Sequence, residues 1–256
     1  MFRFLLKQKL KALSKWAIKK HNMELIVVAG AYDTRIVKDL SYTLLHPKVN
    51  VRRLNTEPWW DFSIPLAILG YKDVKRSIPS WLFLLFRANV RLLLGRPNPQ
   101  AMILNLNYTK DDTADFWTSF IEPDILVITH FNKELKILNN LINNTRKKKG
   151  KIIINSKDSK ETLEILNNYP KLFKFGQKDA DLIYETQSNH VVVLKKNSQR
   201  YELQTQFLPT VKSESIVAAI SVALSKDIPL LEALYSLLKF EMPLKLVKNI
   251  KGILNT

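Results

Sequence analysis

The sequence predicts an α/β fold: a mostly parallel sheet with helices on both faces, plus a small antiparallel hairpin. Three observations predict it. The runs 25–29, 102–106, 125–129 and 152–154 are almost wholly apolar, as strands buried on both faces are. Segments of helical periodicity lie between them, the alternation expected of a parallel sheet with crossover helices. Near the C-terminus the pattern changes. The apolar stretch 191–194 and the segment 201–207 flank a polar turn at Asn197 and Ser198, which reads as a hairpin.

Residues 1–22 form the first unit. Phe4, Leu5, Leu6, Leu10, Leu13, Trp16, Ala17 and Ile18 recur at roughly helical spacing with lysines between them, giving a basic amphipathic helix. Such a helix packs its apolar side on a domain or docks on an anionic membrane surface. No continuous apolar core with a small-residue cleavage site follows, so it does not read as a signal peptide.

The main unit spans 23–242 and opens with strand, tight turn and helix. The apolar run 25–29 ends at Gly30, and a helical pattern begins near Thr34. Phosphate-binding loops are built this way, because turn N–H groups and a helix N-terminus offer positive partial charge to an anion. A working loop reads G-x-x-x-x-G-K-[ST]. Here Gly30, Ala31, Tyr32, Asp33, Thr34 and Arg35 supply one glycine, no lysine and an acid where phosphate approaches.

A short strand is expected at 50–54. Pro58 and Pro65 break regular structure over 55–70, giving a loop that leads into a short helix. Trp59 and Trp60 there read as a hydrophobic plug or a stacking platform. The stretch 80–95 is strongly apolar, but it falls short of the roughly 20 residues that span a bilayer, and Arg87 and Arg91 interrupt it. It is a surface helix facing a membrane or a partner, or a helix packed on the sheet. Asp111 and Asp112 cap a helix running to about Phe120. Further helices are expected at 133–143 and near 160–167, with a basic turn at 146–151. Helices at 215–224 and 229–240 close the unit, with Pro229 at a helix start, and 243–256 is a tail.

Composition narrows the chemistry. The chain has no cysteine, which excludes disulfides, thiol catalysis and cysteine-held zinc. His21, His46, His130 and His190 show no metal-ligand spacing. The formal charge of +17 attracts polyanions: nucleotides, nucleic acid or an anionic membrane face.

The order of segments resembles the central, ATP-binding domain of the Mur ligases, and is most similar to the branch that adds D-alanyl-D-alanine. Residues 26–40 look like the family's strand, loop and helix. Phe62, Ser63, Ile64, Pro65 and Leu66 look like its I-G-L-P-L segment. Residues 121–129 look like its K-P-D-I-x-V-I-T strand. Residues 154–158, with Asn155 and Asp158, look like its L-N-A-D-D motif beside the adenine. Phe175 and Gly176, then Asp179, Ala180 and Asp181, look like its F-G…A-D segment.

The resemblance implies ATP and magnesium as cofactors and an acyl-phosphate route to an amide bond. It implies nucleotide-binding remnants at Gly30, Ala31, Tyr32, Asp33, Thr34, Arg35, Asn155 and Asp158. The departures from the family pattern imply loss of that chemistry. The loop lysine falls on Thr34, the magnesium-binding threonine on Arg35, a loop glycine on Asp33 and a magnesium-binding glutamate on Asn105. The glutamate before I-G-L-P falls on Asp61. The family continues into a third domain beyond the position of Thr256. No catalytic or metal-binding residue is assigned.

Three readings follow. The first is a degenerate Mur-ligase-like domain that binds or scaffolds an active ligase or an envelope-synthesis protein. The second is a divergent active ligase in which Arg35 or Lys38 replaces the missing lysine and a partner supplies the absent domain. The third is a basic protein of membrane surfaces or nucleic acid, with membrane contact through 1–21 and 80–95; no nucleic-acid motif is visible. The expected location is cytoplasmic, at the inner face of the membrane.

Overall fold

The chain is described from a computed structural model, which covers residues 2–30, 33–55, 60–72, 74, 77–95, 99–106, 111–130, 136–158, 160–166, 168–188, 191–196, 199–205 and 211–238. The expected tail, Ala31, Tyr32, Trp59, His190 and the Asn197–Ser198 turn lie outside these residues.

A single sheet of nine strands organises the molecule, in the order β2-β3-β1-β4-β5-β6-β7-β8-β9. Its parallel part comprises β1 (Glu24–Ala29), β2 (Val51–Arg53), β3 (Ala101–Leu106), β4 (Ile125–Ile128), β5 (Lys151–Asn155), β6 (Leu172–Gly176) and β7 (Leu182–Ser188). β8 (Val191–Lys196) and β9 (Gln199–Gln204) add antiparallel strands at one edge. β1 lies between β3 and β4, with Ile26 opposite both Ile103 and Ile125. The four apolar runs of the sequence are thus the four central strands.

Alternate residues of these strands feed two cores. On one face Leu25, Val27, Met102, Leu104, Leu126 and Ile152 are covered by α1 (Phe2–Lys20), α3 (Ser63–Leu69), α4 (Ile78–Leu93), α5 (Asp111–Thr118) and α6 (Lys136–Lys147). On the other, Ile26, Val28, Ile103, Val127 and Ile153 are covered by α2 (Thr34–Leu45), α8 (Ser213–Ser225) and α9 (Leu230–Leu237). The remaining helix, α7 (Lys160–Leu166), follows β5. This two-sided burial is why the strands are apolar along their whole length.

The N-terminal helix packs on the first of these faces. Leu6, Leu10, Leu13 and Ala17 are buried in the core. At its C-terminal end Lys20 donates to the carbonyls of Leu92 and Leu93. These carbonyls lie in the last turn of α4, where a helix has more acceptors than donors.

Several expectations need correction. Pro65 does not break structure: it is the third residue of α3, in the first turn, where a helix needs no N–H. The basic turn expected at 146–151 is the last turn of α6, a two-residue link at Lys148–Lys149, and the start of β5 at Lys151 after Gly150. α5 ends at Thr118 rather than near Phe120. β7 was not anticipated. Its LIYETQS sequence turns Leu182 and Tyr184 inward but leaves Glu185 and Thr186 exposed, too little apolar signal for an internal strand. Trp60 does plug the core, edge-on to Phe62 at 5.2 Å and Trp81 at 6.0 Å.

Candidate functional site

β1 connects through α2 to β2 on one side, whereas β4 connects through α6 to β5 on the other. The carboxyl ends of β1 and β4 therefore flank a topological switch point, where open α/β sheets bind ligands. The strand end there is Gly30, with φ at +153°. A Cβ at this residue would collide with Thr129 Oγ1 and sit 2.8 Å from the His130 backbone nitrogen. Only glycine lets the chain turn out of β1 this close to β4.

Asp33 follows in the left-handed conformation, φ 58°. It occupies the N-cap of α2, yet its carboxylate makes no capping hydrogen bond. It lies instead 3.3 Å from Lys212 Nζ, the N-cap residue of α8. Asp33, Val37, Thr129, His130, Phe175, Lys212, Glu214 and Ser215 line one cleft of about 60 Å³. Ligand pockets run to roughly 300–1,000 Å³, so this cleft is far smaller than one. Two helix N-termini, those of α2 and α8, meet here. Each end favours an anion, and each has one from the chain itself: Asp33 at α2 and Glu214 in the first turn of α8.

The second cluster sits at the end of β5. Asn155 Oδ1 accepts from the Lys157 backbone N–H at 3.0 Å, and the Asp158 N–H donates to the Asn155 carbonyl at 3.0 Å. Asn155 thus shapes its own turn. It also hydrogen-bonds Tyr184, whose hydroxyl donates to Glu214 Oε1 at 3.2 Å. Burial first, then the Glu214 charge, pushes the Tyr184 hydroxyl well above its ordinary value. Tyr184 and Glu214 therefore join the Asn155 turn to the Asp33 cleft. Sequence reasoning missed both. No motif marks them, and Tyr184 lies on the unanticipated strand β7.

The third cluster surrounds Asp61, which is buried at the start of α3. Its carboxylate accepts from Arg3 at 2.7 Å and from Thr113 Oγ1 at 2.6 Å, and lies 2.8 Å from Lys7 Nζ. Trp117 Nε1 donates to the Asp61 carbonyl at 2.9 Å. Burial pushes the carboxyl up. The hydrogen bonds of Lys7, Thr113 and Arg3, with the Lys7 charge, outweigh it and hold the group below its ordinary value.

Lys38 is, with Arg35, one of the two substitute phosphate ligands of the second reading, and it faces away from that role. Its side chain is buried on α2, donating to the Leu54 carbonyl at 2.6 Å and lying 3.4 Å from Asp39 Oδ1. Thr34 is buried and Arg35 half-buried at the start of α2. Asn105, one residue before the end of β3, is fully buried.

No protein-family profile matches the chain. No curated protein matches it. Solved structures do. The chain is similar to the UDP-N-acetylmuramoylalanyl-D-glutamyl-2,6-diaminopimelate–D-alanyl-D-alanyl ligase from Acinetobacter baumannii, at 14% identity and a TM-score of 0.66, over 92% of this chain and 50% of that one. It is also similar to the MurF ligase from Thermotoga maritima in complex with ADP, at 14% identity and a TM-score of 0.62, over 93% of this chain and 53% of that one. This chain has the Mur-ligase fold. The UDP-N-acetylmuramate:L-alanyl-gamma-D-glutamyl-meso-diaminopimelate ligase from Neisseria meningitides shares it at 12% identity and a TM-score of 0.59, over 90% of this chain and 70% of that one. The chain spans about half the length of the first two of these ligases.

The residues at the positions the resemblance aligns with magnesium ligands suit that ion poorly. There Asn105 offers a neutral amide oxygen where a carboxylate would stand, and Arg35 a guanidinium that repels a cation. Among the described residues no group of three or more His, Asp or Glu is placed to hold a metal ion.

Proposed function

We propose that this chain is a Mur-ligase-like domain that has given up ATP-driven ligation and acts as a binding or scaffolding partner, of an active ligase or another protein of envelope synthesis. The observation that carries the reading is the Asp33–Lys212 ion pair across the crevice. It puts a carboxylate on the helix end that would receive a phosphate and neutralises it internally. ATP-driven transfer needs cations and a metal to neutralise charge on the γ-phosphoryl group. The positions aligned with those groups are Thr34, Arg35 and Asn105. The alternative, an active divergent ligase, loses Lys38 as a phosphate ligand because that side chain is held by Leu54 and Asp39. A cytoplasmic location follows from this reading.

Calorimetric titration with ATP and with ADP, each with and without magnesium, tests it. The expected result is no saturable heat at micromolar nucleotide. Magnesium-dependent micromolar binding overturns the proposal and returns the chain to the ligases.

A further inference from the structure

α1 and α4 lie side by side on one face of the sheet and run in the same direction. Their first turns meet around the Asp61–Phe62 corner, where Asp61 holds Arg3 and Lys7 and Phe62 packs on Trp81 at 5.2 Å. Their last turns meet where Lys20 donates to the α4 carbonyls. α4 buries Trp81, Leu84, Ala88 and Leu92 inward. Its outer side is also apolar: Ile78, Leu82, Phe83, Phe86, Leu93 and Leu94 are all exposed, Phe83 by 65% and Phe86 by 67%. At the N-terminal end of α1, Phe2, Phe4 and Leu5 are exposed as well. Exposed apolar groups of this number on neighbouring helices mark an interaction surface.

The charge around this surface selects the partner. None of the 23 acidic residues of the chain falls within 1–23 or 74–110. Lys9, Lys15, Lys19 and Lys20 on α1 and Arg87 on α4 are exposed. A second copy would set these cations against their own kind. A nucleic acid would answer the charge but leave the phenylalanines and leucines in water. An anionic lipid surface satisfies both, with apolar side chains entering the headgroup–acyl boundary and lysines on the headgroups. Among the described residues no helix is long and apolar enough to cross a membrane.

We infer that the α1–α4 face docks the protein peripherally on an anionic membrane surface. The inference goes beyond the reading of the crevice and does not depend on whether nucleotide binds there.

Flotation of the full chain, without nucleotide, with vesicles of phosphatidylcholine alone or mixed with phosphatidylglycerol tests it. Binding is expected only to the mixed vesicles. Phe83→Ser with Phe86→Ser leaves charge unchanged and is expected to weaken binding more than tenfold, since each buried phenylalanine contributes about tenfold or more. Lys9→Gln, Lys15→Gln and Lys19→Gln are each expected to cost about fivefold. Circular dichroism melting confirms that the variants fold. Absence of binding to the mixed vesicles overturns the inference. So does binding that the double serine variant leaves unchanged, which is adsorption by charge alone. A lipid-independent dimer broken by that variant, or RNA binding without vesicle binding, overturns it in favour of those partners.

Discussion

Arg3 donates to the Asp61 carboxylate at 2.7 Å across 58 residues of sequence, and this contact fastens the first helix to the start of α3. Lys7, one turn further along α1, closes on the same carboxylate. The apolar side of α1 supplies the burial, and Asp61 fixes where along the face the helix sits. Asp61→Asn removes the charge while keeping the shape. We expect it to cost about 1.5–3 kcal/mol, the worth of hydrogen bonds to a charged group, and to speed amide exchange in residues 2–10. Urea denaturation and hydrogen exchange measure the two effects.

The same carboxyl sets a pH dependence. Its folded pKa is depressed, so its stabilisation is complete above the unfolded value near 4. That stabilisation is lost as pH falls through the lower folded value. The wild type is therefore expected to exceed Asp61→Asn in stability at pH 7, with the gap closing below about pH 4. A gap that stays constant to pH 2 contradicts the assignment.

Asp33 has φ 58°, a conformation glycine adopts freely. Asp33→Gly should leave the melting temperature nearly unchanged while breaking the ion pair with Lys212 and removing the carboxylate from the crevice. ADP affinity is expected to rise about tenfold, the scale of removing one like charge near a phosphate. Fluorescence titration of the variant beside the wild type reads this out.

Gly30→Ala is expected to destabilise by at least about 2 kcal/mol, combining backbone strain with the collision against Thr129 and His130. A shift in the urea midpoint at constant slope reports it.

Lys38→Met separates structure from chemistry. The Leu54 carbonyl loses its buried donor and Asp39 keeps Arg53 at 3.0 Å. A loss of about 1–3 kcal/mol is expected, with nucleotide affinity unchanged. A fall in nucleotide affinity at full stability would restore Lys38 as a phosphate ligand.

Much of the fold was legible because it is written locally. The central strands are short apolar runs, and Gly30 ends the first of them where a close turn demands it. Pro65 misled because a proline in the first turn of a helix looks, in sequence, like one that ends it. The candidate site was legible on one side only. The turn around Gly30 and Asp33 announced itself by spacing. Lys212 reaches Asp33 from far along the chain, Glu214 meets Tyr184 across 30 residues, and Arg3 meets Asp61 across 58. No period or motif encodes such meetings, because the sheet order creates them.

α8 begins at Ser213 and covers the sheet face formed by Ile26, Val28, Ile103, Val127 and Ile153. Every one of those residues is synthesised before it. For the roughly 3–12 seconds that a ribosome needs to go from Ile153 to Ser213, α2 alone covers that side of the growing sheet. The last helices are then the step that makes the nascent protein safe from aggregation. Chains released before Ser213 are expected to need a chaperone, and Lys226, which pairs with Glu24 across 202 residues, is the clasp that closes the molecule.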